Sequence, residues 1–418
     1  DNYVGFVMID LDRFKEINDT NGHQAGDTVL LAVAERLKQS APEGASVARL
    51  GGDEFALIVP IAKRDLDPVE DWVKETVEKV AQPIEVEIGA IEVTISAGVA
   101  VQTAPESTDN LESAARKLMH RADLAMYHAK KEGRNRYCWF DPAMEVESRL
   151  RREMESAIRD GLERGEFTPH YEQQIDLETG KLVGFEMLAR WNSPEMGVVS
   201  PEIFIPVAES SGLIGPLSQS LIASALRDAQ SWDPSLTLSV NISSMQLRDP
   251  WFPQKLLKLL LKSDFPPARL DVEISEACLQ ENLPAVQTMI VSLKNIGVRV
   301  SLDDFGTGFA SLTQLRTLPF DRVKIDRSFV GELRRVAEAA RNDEVSDPQH
   351  DHIVSTLVSL GRGLQIPVTA EGIEDTAILN TLRTMGEMKG QGYLYGKPED
   401  AAAVMKRLTE LNMLAERS

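Results

Sequence analysis

The sequence predicts two α/β domains, an amino-terminal α/β sandwich followed by a (β/α)8 barrel. Three observations lead to this fold class. The chain has 418 residues, of which 43% are hydrophobic, so it is too long for one ordinary domain and apolar enough for two cores. Strands and helices alternate around a β-hairpin over residues 1–140. From residue 166 onward, short apolar strands that end in polar residues alternate with helices.

The first domain is predicted over residues 1–140. Apolar patterns indicate alternating elements, with strands over 3–9 and 91–101 and helices over 25–39, 69–80 and 111–132. Two glycines and two acids between short strands at 47–50 and 55–59 predict a β-hairpin. Together these elements are typical of an α/β sandwich with mixed strand directions.

A connecting helix is predicted over residues 141–165, because apolar side chains recur there at mainly helical spacing between charges. They are Met144, Leu150, Met154, Ile158 and Leu162. No low-complexity linker is visible, so we expect a semi-rigid connection between the domains.

The second domain is predicted over residues 166–418 as a barrel of eight strands, the first near 170–175. Seven strands lead into polar residues, which are Glu186, Asn241, Glu273 with Glu276, Asp303 with Asp304, Lys324 with Asp326, Glu371 and Gln391. A polar residue after a strand usually caps a helix or belongs to a turn. Seven in succession, five of them contributing carboxylates, are hard to explain by capping and are typical of the functional rim of such a barrel.

These carboxylates predict a metal site. Crowded on one rim, they would be stabilised most simply by divalent cations. All the candidate ligands are oxygen donors, and no His or Cys joins them, which favours Mg²⁺ or Mn²⁺ over zinc. The adjacent acids Asp303 and Asp304 would let one carboxylate bridge two metals, an arrangement that activates water and holds a phosphate. The residues themselves therefore predict a metal-dependent phosphohydrolase.

The charge balance excludes some classes of partner. The chain has 65 acidic and 45 basic residues, a formal charge of −20, which argues against binding a nucleic-acid polymer or an anionic membrane surface. Cys138 and Cys278 are too few and too far apart for a disulfide framework, so a reducing, cytoplasmic location is expected. Because the chain begins at Asp1 rather than Met, an upstream sensor or membrane anchor is expected outside it.

The barrel domain resembles the EAL family of cyclic di-GMP phosphodiesterases over residues 150–410. The signature glutamate is Glu186, followed by Met187 and Leu188, so only the middle residue of the family motif is changed. The other matching segments are Asn241-Ile242-Ser243, Glu273-Ile274-Ser275-Glu276, Asp303-Asp304-Phe305-Gly306-Thr307-Gly308, Lys324-Ile325-Asp326, Ala370-Glu371-Gly372 and Gln391-Gly392-Tyr393-Leu394.

This resemblance implies two Mg²⁺ or Mn²⁺ ions and a role for each residue. The implied ligands of the first metal are Glu186, Asn241, Glu273 and Asp303, and those of the second are Asp303, Asp304 and Glu371. The implied catalytic residues are Lys324, which orients or helps to activate water, Glu371, and Glu276, which braces the loop after Asp304. The implied substrate-binding residues are Arg190, which meets a phosphate oxygen, Leu188, Asp326 and Gln391. The implied reaction opens one phosphodiester of cyclic di-GMP and yields linear pGpG.

Two features depart from the EAL pattern. The family usually has Tyr-Gln-Pro on the first strand, where this chain has Tyr171-Glu172-Gln173. The added negative charge of Glu172 near the substrate phosphates is expected to weaken binding. The highly charged segment 331–351 is longer than usual and is predicted to be a solvated surface loop.

The first domain resembles the GGDEF family of diguanylate cyclases, with Gly51-Gly52-Asp53-Glu54-Phe55 intact. Two glycines at a hairpin tip let the backbone approach a nucleotide closely. The resemblance implies that Asp10, the Leu11 carbonyl and Asp53 bind one or two Mg²⁺ or Mn²⁺ ions, with Glu54 acting beside them. The implied GTP contacts are Asn18 and Asp27 to guanine and Lys130 and Arg134 to the phosphates.

The first domain also lacks one family feature. The inhibitory product site has Arg-x-x-Asp upstream of the hairpin, where this chain has Pro42-Glu43-Gly44-Ala45, so feedback by that route is expected to be lost. Synthesis needs two such domains face to face, and one chain supplies one half site, so a homodimer is expected.

Three functions follow from the sequence as hypotheses. The first is a phosphodiesterase whose GGDEF domain binds GTP and regulates it. The second is a bifunctional enzyme that also makes cyclic di-GMP from two GTP. The third is a receptor that binds cyclic di-GMP without turnover.

Overall fold

The computed structural model describes residues 3–61, 67–87, 89–103, 111–281, 283–308, 311–333 and 348–415. They divide into two compact units, Asp1–Glu153 and Met154–Ser418, with the boundary inside helix α5 (Pro142–Arg164). Residues 334–347, most of the charged segment predicted as a surface loop, lie outside the described residues. In the part that is described, no helix is long and apolar enough to cross a membrane.

The first unit is an α/β sandwich, as predicted. Its strands are β1 (Tyr3–Leu11), β2 (Ser46–Gly51), β3 (Glu54–Ile61), β4 (Ile84–Val86), β5 (Gly89–Ile91), β6 (Ile95–Thr103) and β7 (Arg136–Trp139). Its helices before α5 are α1 (Phe14–Asn21), α2 (His23–Ser40), α3 (Asp67–Val80) and α4 (Leu111–Lys131). The main sheet has the order β2-β3-β1-β6-β7, with β1 antiparallel to β3 and β6, and β7 parallel to β6.

Alternation along β1 places apolar side chains on both faces of this sheet. Val7 packs in a core that includes Val29 and Val33 of α2, whereas the preceding Phe6 packs in a second core with Leu118 of α4. Helices therefore cover both faces, which is why β1 is nearly continuously apolar. The polar end of β1, at Asp10, lies at the edge of this buried layer.

The prediction of a strand over 91–101 is wrong for residues 91–94, because the sheet strand β6 begins at Ile95. Gly89–Ile91 forms a small separate hairpin with Ile84–Val86, and the sheet strand begins only at Ile95. The reason is a long-range contact: the Thr94 carbonyl accepts from the Asp12 amide, and the Thr94 hydroxyl donates to the Asp12 carboxylate. This segment is therefore held at the end of β1 and does not extend the strand.

The second unit is a closed eight-stranded barrel, so the predicted fold class is confirmed. Its strands are β8 (Phe167–Asp176), β9 (Leu182–Ser193), β10 (Gly197–Val199), β11 (Thr237–Ile242), β12 (Leu270–Ser275), β13 (Arg299–Phe305), β14 (Arg322–Ile325), β15 (Val368–Ala370) and β16 (Lys389–Gly390). Its helices after α5 are α6 (Pro201–Ser210), α7 (Ile214–Ala229), α8 (Ser244–Leu247), α9 (Phe252–Lys262), α10 (Ala277–Glu281), α11 (Leu283–Asn295), α12 (Leu312–Thr317), α13 (Pro348–Leu364), α14 (Thr376–Met385) and α15 (Ala401–Glu410). Strand β10 forms an added hairpin on β9.

The barrel differs from a regular (β/α)8 repeat in its first strand. Strand β8 is antiparallel to both β9 and β16, whereas β9 and β11 to β16 are parallel. The cause is the connection: only residues 177–181 separate β8 from β9, too few for the crossover helix that a parallel pair requires. As a result, the amino-terminal half of β8 lies beside the carboxyl ends of the other strands.

The barrel strands direct apolar residues outward and polar residues inward. Phe185, Val240 and Val272 pack in the main core with the surrounding helices. Ser239, Asp271, Ser301 and Thr369 are at most 1% exposed and are the polar members of the same strands. The Ser301 hydroxyl donates to Asp271 at 2.7 Å, and Arg322 lies 3.4 Å from the other Asp271 oxygen. The barrel interior is therefore a polar layer beneath the rim.

Candidate active site

Lys324 of β14 lies at the centre of the predicted carboxylate cluster. Its Nζ is 2.9 Å from Glu186, 2.5 Å from Glu273, 2.6 Å from Glu371 and 3.5 Å from Asp303. The four acids come from β9, β12, β13 and the end of β15, and the Lys324 side chain is only 1% exposed. Four carboxylates around one ammonium leave a formal excess of three negative charges.

The strand register explains this convergence. Asn241 on β11 is the register partner of Glu273 on β12, and Ser275 on β12 is the partner of Asp303 on β13. Because alternate residues of a strand point to opposite faces, the apolar residues between them pack outward while these polar side chains point into the barrel mouth. Residues that are far apart in sequence therefore meet at one rim.

The acidity of these groups reflects burial and mutual repulsion. Burial and the neighbouring carboxylates raise the pKa values of Glu273, Glu371 and Asp303 above their ordinary range. Burial and the adjacent Asp303 raise the pKa of Asp304 to about 6. Burial alone would lower the pKa of Lys324, but the surrounding carboxylates outweigh it and raise that pKa well above its usual value.

The cluster has the donor set of a hard divalent cation. Glu186, Glu273 and Asp303 each place an oxygen within 4.8 Å of the others. Asn241 lies beside them, with its Nδ2 donating to Glu186 at 2.7 Å. Glu273 Oε1 is buried and has no hydrogen-bond partner among the described residues. Oxygen-only donors and a buried, unpaired carboxylate oxygen fit Mg²⁺ or Mn²⁺. The Lys324 ammonium offsets only one of the negative charges of the four carboxylates around it.

Asp304, near the end of β13, and Glu276, between β12 and α10, lie beside this cluster. Asp304 has a φ of 56°, in the left-handed region that is strained for a residue with a side chain, and its amide donates to Asp303 at 2.9 Å. Glu276 is buried and accepts from the amides of Gly306 at 2.9 Å and Gly308 at 3.2 Å. These bonds tie Glu276 to the loop after Asp304.

Arg190 and Leu188 line a mainly apolar cavity beside the rim. The cavity has a volume of about 350 Å³, and its wall also includes Ile205, Leu217 and the rim residue Asn241. Arg190 is half-buried, and burial lowers the pKa of its guanidinium, which stays above any physiological pH. The cavity therefore combines a cationic group with an apolar wall, and it reaches the rim at Asn241.

The structure places two of the predicted substrate-binding residues in intramolecular contacts. Gln391 is buried, and its Nε2 donates to Glu186 at 2.6 Å and to Glu371 at 3.2 Å. Asp326 accepts from the Ser328 amide at 2.9 Å and thereby caps the turn after β14. Gln391 therefore lies against the carboxylates, and Asp326 is beside them on the rim.

Glu172 lies next to the cluster because β8 is antiparallel. It is the register partner of Glu186, and burial together with the Glu186 charge raises its pKa to about 7. Two residues further along the same strand face, the buried Gln174 donates to Gln391 at 3.3 Å. Gln174 was not predicted as a site residue; the available signal was its spacing of two from Glu172 within a strand.

The first unit places a smaller polar cluster at the end of β1 and the tip of the β2–β3 hairpin. Asp10 and Glu54 are register partners, and Lys130 Nζ is 2.8 Å from Asp10. The Leu11 amide donates to the Asp53 carbonyl at 3.2 Å. Burial raises the pKa of Asp10 against the opposing effect of Lys130. Gly51 and Gly52, with φ values of 156° and 53°, form the tip beside these acids.

The remaining predicted residues of this unit have different positions. Asn18 packs on Gly26, where an added Cβ would lie 2.0 Å from its Oδ1, so α1 and α2 meet without a side chain between them. The neighbouring Asp27 is exposed and lines a cavity of about 470 Å³ with Arg49. Arg134 is exposed, with a φ of 63°, just after the helix that carries Lys130.

Asp12 is a buried acid that was not predicted as part of this cluster. It accepts hydrogen bonds from the hydroxyls of Thr94 and Ser96, both at 2.7 Å, and from the Asn135 amide at 3.1 Å. These contacts join β1, the start of β6 and the segment before β7. Asp12 therefore holds the scaffold of the cluster, and its acceptors are satisfied by the protein.

Comparisons with known proteins agree with both units. The family model of the EAL domain matches residues 155–398, and that of the diguanylate cyclase GGDEF domain matches residues 1–136. The Escherichia coli cyclic di-GMP phosphodiesterase PdeR is 33% identical over 96% of this chain and 58% of its own length. The Pseudomonas aeruginosa bifunctional diguanylate cyclase/cyclic di-GMP phosphodiesterase MucR is 32% identical over 97% of this chain and 57% of its own length.

A structural comparison supports the barrel. The solved structure of the PaMucR phosphodiesterase in complex with c-di-GMP has a TM-score of 0.56 and 31% identity, and covers 60% of this chain and 99% of its own.

A Caulobacter vibrioides signaling protein is 37% identical over 96% of this chain and 48% of its length. The chain thus spans about half the length of these curated relatives. The chain belongs to the EAL-domain family and carries a GGDEF domain before the EAL domain.

Proposed function

We propose that the barrel unit hydrolyses one phosphodiester bond of cyclic di-GMP and releases linear pGpG. The observation that carries this proposal is the buried Lys324 ammonium among four carboxylates, beside an apolar cavity that includes Arg190. A cluster of this kind suits an anionic substrate only when cations reverse its field. Membership of the EAL family, and relatives named as cyclic di-GMP phosphodiesterases, support the choice of substrate.

The ligands proposed for two divalent cations are Glu186, Asn241, Glu273 and Asp303 for one, and Asp303, Asp304 and Glu371 for the other. When bound, the cations would lower the pKa of a coordinated water and neutralise the phosphate. Lys324 donates a hydrogen bond to the attacking water and keeps it oriented, with Glu371 beside it as a proton acceptor. Glu276 holds the Asp304 loop in place through its bonds to Gly306 and Gly308.

The substrate is proposed to lie across the rim and the adjoining cavity. Arg190 donates to a phosphate oxygen, which is favourable because a half-buried guanidinium binds phosphate with little competition from water. Leu188 and the apolar wall accept a guanine base. Gln391 and Asp326, which contact or neighbour the carboxylates, complete the substrate side of the rim.

We propose that the GGDEF unit binds GTP and regulates the barrel. Asp10, the Leu11 carbonyl and Asp53 would hold Mg²⁺ or Mn²⁺, with Glu54 beside them. Asn18 and Asp27 would bind guanine, Gly51 and Gly52 would allow close approach, and Lys130 and Arg134 would neutralise the phosphates. The intact hairpin also favours a second candidate, synthesis of cyclic di-GMP by two copies of the chain.

The test is a product analysis with and without GTP. The full chain is incubated with cyclic di-GMP and Mn²⁺, and nucleotides are separated by chromatography. Formation of pGpG that GTP stimulates supports the proposal, and conversion of GTP alone into cyclic di-GMP supports the second candidate. Binding of cyclic di-GMP without pGpG would refute hydrolysis and leave a receptor. Glu273→Gln should abolish pGpG formation, whereas Glu178→Gln, at an exposed turn carboxylate, should not.

A further inference from the structure

We propose that Gln174 is a positioning residue for the carboxylate cluster and that it acts through Gln391. The inference rests on the proposed function in one respect only, that the cluster binds divalent cations. Gln174 is 1% exposed and lies in the polar interior of the barrel, below the rim. Its side chain does not line the proposed substrate cavity, and its hydrogen bonds within the described residues go to Gln391 and Ser239 and not to a proposed metal ligand.

Gln174 donates two hydrogen bonds from one nitrogen. Its Nε2 donates to Gln391 Oε1 at 3.3 Å and to Ser239 Oγ at 3.2 Å. Its register partner on β9 is Gly184, which has no side chain, so Gln174 reaches Ser239 on the strand beyond. Strand β8 closes the barrel between β9 and β16, so its backbone fixes this donor between the strands that carry Glu186 and lead into Gln391.

The orientation of the Gln391 side-chain amide determines whether its NH₂ group or its oxygen faces the carboxylates of Glu186 and Glu371. Gln391 Nε2 donates to Glu186 Oε2 at 2.6 Å and to Glu371 Oε1 at 3.2 Å. If the amide rotated by half a turn, its oxygen would face both carboxylates, and like partial charges would oppose each other in a buried site. Gln174 opposes this rotation, because a turned Gln391 would place its N–H group against that of Gln174 unless the Gln174 amide, whose Oε1 has no partner among the described residues, turned as well.

The consequence is a directional chain of amides that ends on two proposed metal ligands. Gln174 donates to Gln391, and Gln391 donates to Glu186 and Glu371, which are proposed to hold different cations. Hydrogen bonds that orient metal ligands contribute strongly to metal affinity, and their loss typically lowers affinity or activity about 10- to 100-fold. Gln174 is therefore expected to influence both cations from below the rim.

The neighbouring Gln173 is a matched control. It is also buried and on β8, but it points away from the barrel interior and donates to the Tyr395 carbonyl at 2.7 Å. Gln173→Met and Gln174→Met remove the same amide from adjacent positions of one strand. Both variants lose a buried hydrogen bond, whereas only Gln174→Met loses the contact with Gln391.

The experiment measures Mn²⁺ binding to the metal-free full chain by calorimetry, without substrate. We expect Gln174→Met to weaken Mn²⁺ binding about tenfold, while Gln173→Met binds as the unchanged protein does. In hydrolysis assays, kcat of Gln174→Met should fall with little change in KM, because Gln174 does not contact the substrate. Should Gln174→Met not fold by circular dichroism, Gln174→Leu provides the same test.

A double-mutant cycle identifies the route. If Gln174 acts through Gln391, the variant with both Gln174→Met and Gln391→Met binds Mn²⁺ no more weakly than Gln391→Met alone. Additive losses, unchanged Mn²⁺ affinity in Gln174→Met, or an equal loss in Gln173→Met would each overturn the inference. Normal Mn²⁺ binding without pGpG formation in the unchanged protein would instead refute the proposed reaction and leave this inference standing.

Discussion

The two polar clusters of this protein differ most in burial. In the barrel, Lys324 is 1% exposed and contacts four carboxylates from four strands. In the GGDEF unit, the corresponding ion pair joins Lys130 and Asp10, whose side chains are 31% and 12% exposed. Charges in a buried site interact strongly and are held by packed strands, whereas exposed charges are screened. Changes at the barrel rim should therefore have larger effects than changes at the hairpin.

The largest effect is expected for Lys324→Met. Removing the ammonium takes away the donor to the attacking water and leaves four closely spaced carboxylates without a fixed cation, so kcat should fall about a thousandfold. Initial rates of pGpG formation at saturating Mn²⁺ measure this. Lys255→Met, which breaks an exposed pair with Asp249, is the control and should retain kcat. A Lys324→Met enzyme with kcat near that of the unchanged protein would show that Lys324 is structural only.

The second prediction compares how much each cluster contributes to the stabilisation of the folded protein by Mn²⁺. A ligand that binds only the folded state raises its stability, by about 2.7 kcal/mol at a concentration 100 times its Kd. We expect Mn²⁺ to raise the melting temperature of the protein in scanning calorimetry. Asp303→Asn should remove most of that increase. Asp10→Asn, the matched change in the GGDEF unit, should leave it largely intact. The opposite ranking would mean that the hairpin is the stronger metal site.

A smaller effect is expected for Lys130→Met in the GGDEF unit. Loss of one partly exposed cation near the GTP phosphates should weaken GTP binding about tenfold, because solvent screens this charge more than it screens Lys324. The adjacent Lys131 is the control, since it pairs with Glu147 at 2.8 Å on another face of the helix. Binding of a fluorescent GTP analogue compares the two variants. Equal affinities in Lys130→Met and Lys131→Met would exclude the proposed phosphate contact.

The smallest effect concerns Glu172 and pH. In the metal-free protein its pKa is raised to about 7, so the carboxyl gains negative charge as the pH rises from 6 to 8. The ionised form adds a negative charge near the substrate phosphates, so KM should rise about threefold between these pH values. Glu172→Gln should remove this rise in KM. A KM that changes equally with pH in both proteins would assign the titration to another group.

The raised pKa of Glu172 also makes the stability of the folded protein depend on pH. In the folded protein Glu172 binds its proton more tightly than in the unfolded chain, whose Glu pKa is the ordinary 4.5. Its contribution to stability is therefore present below pH 4.5 and is lost as pH rises towards 7. Urea unfolding of the metal-free protein should show a shallower loss of stability over this interval in Glu172→Gln.

Much of the rim was predictable because its residues occupy equivalent places in successive strands. Glu186, Asn241, Glu273, Asp303, Lys324 and Glu371 each follow or end an apolar run, and a barrel brings such positions together. The direction of β8 was not predicted, although the five residues between β8 and β9 contained the signal. The antiparallel direction of β8 places Glu172 opposite Glu186. A regular (β/α)8 repeat would not indicate this pairing.

Long-range side-chain contacts account for what was missed. Gln174 and Gln391 are 217 positions apart, and nothing in either local sequence indicates that their amides meet. Asp12 likewise bonds to Thr94, Ser96 and Asn135, so its role depends on two distant segments. Strand periodicity gives the face of a residue, but the partner on that face depends on register and barrel closure.

The source of the new oxygen atom in the product tests directly whether water attacks the phosphate at the carboxylate rim. The full chain is incubated with cyclic di-GMP and Mn²⁺ in H₂¹⁸O, and pGpG is analysed by mass spectrometry. Water attack at the carboxylate rim predicts one ¹⁸O atom in the terminal phosphate of pGpG with the unchanged protein, and no pGpG with Asp303→Asn. Absence of pGpG from the unchanged protein, or equal labelling with Asp303→Asn, would contradict water attack at the carboxylate rim.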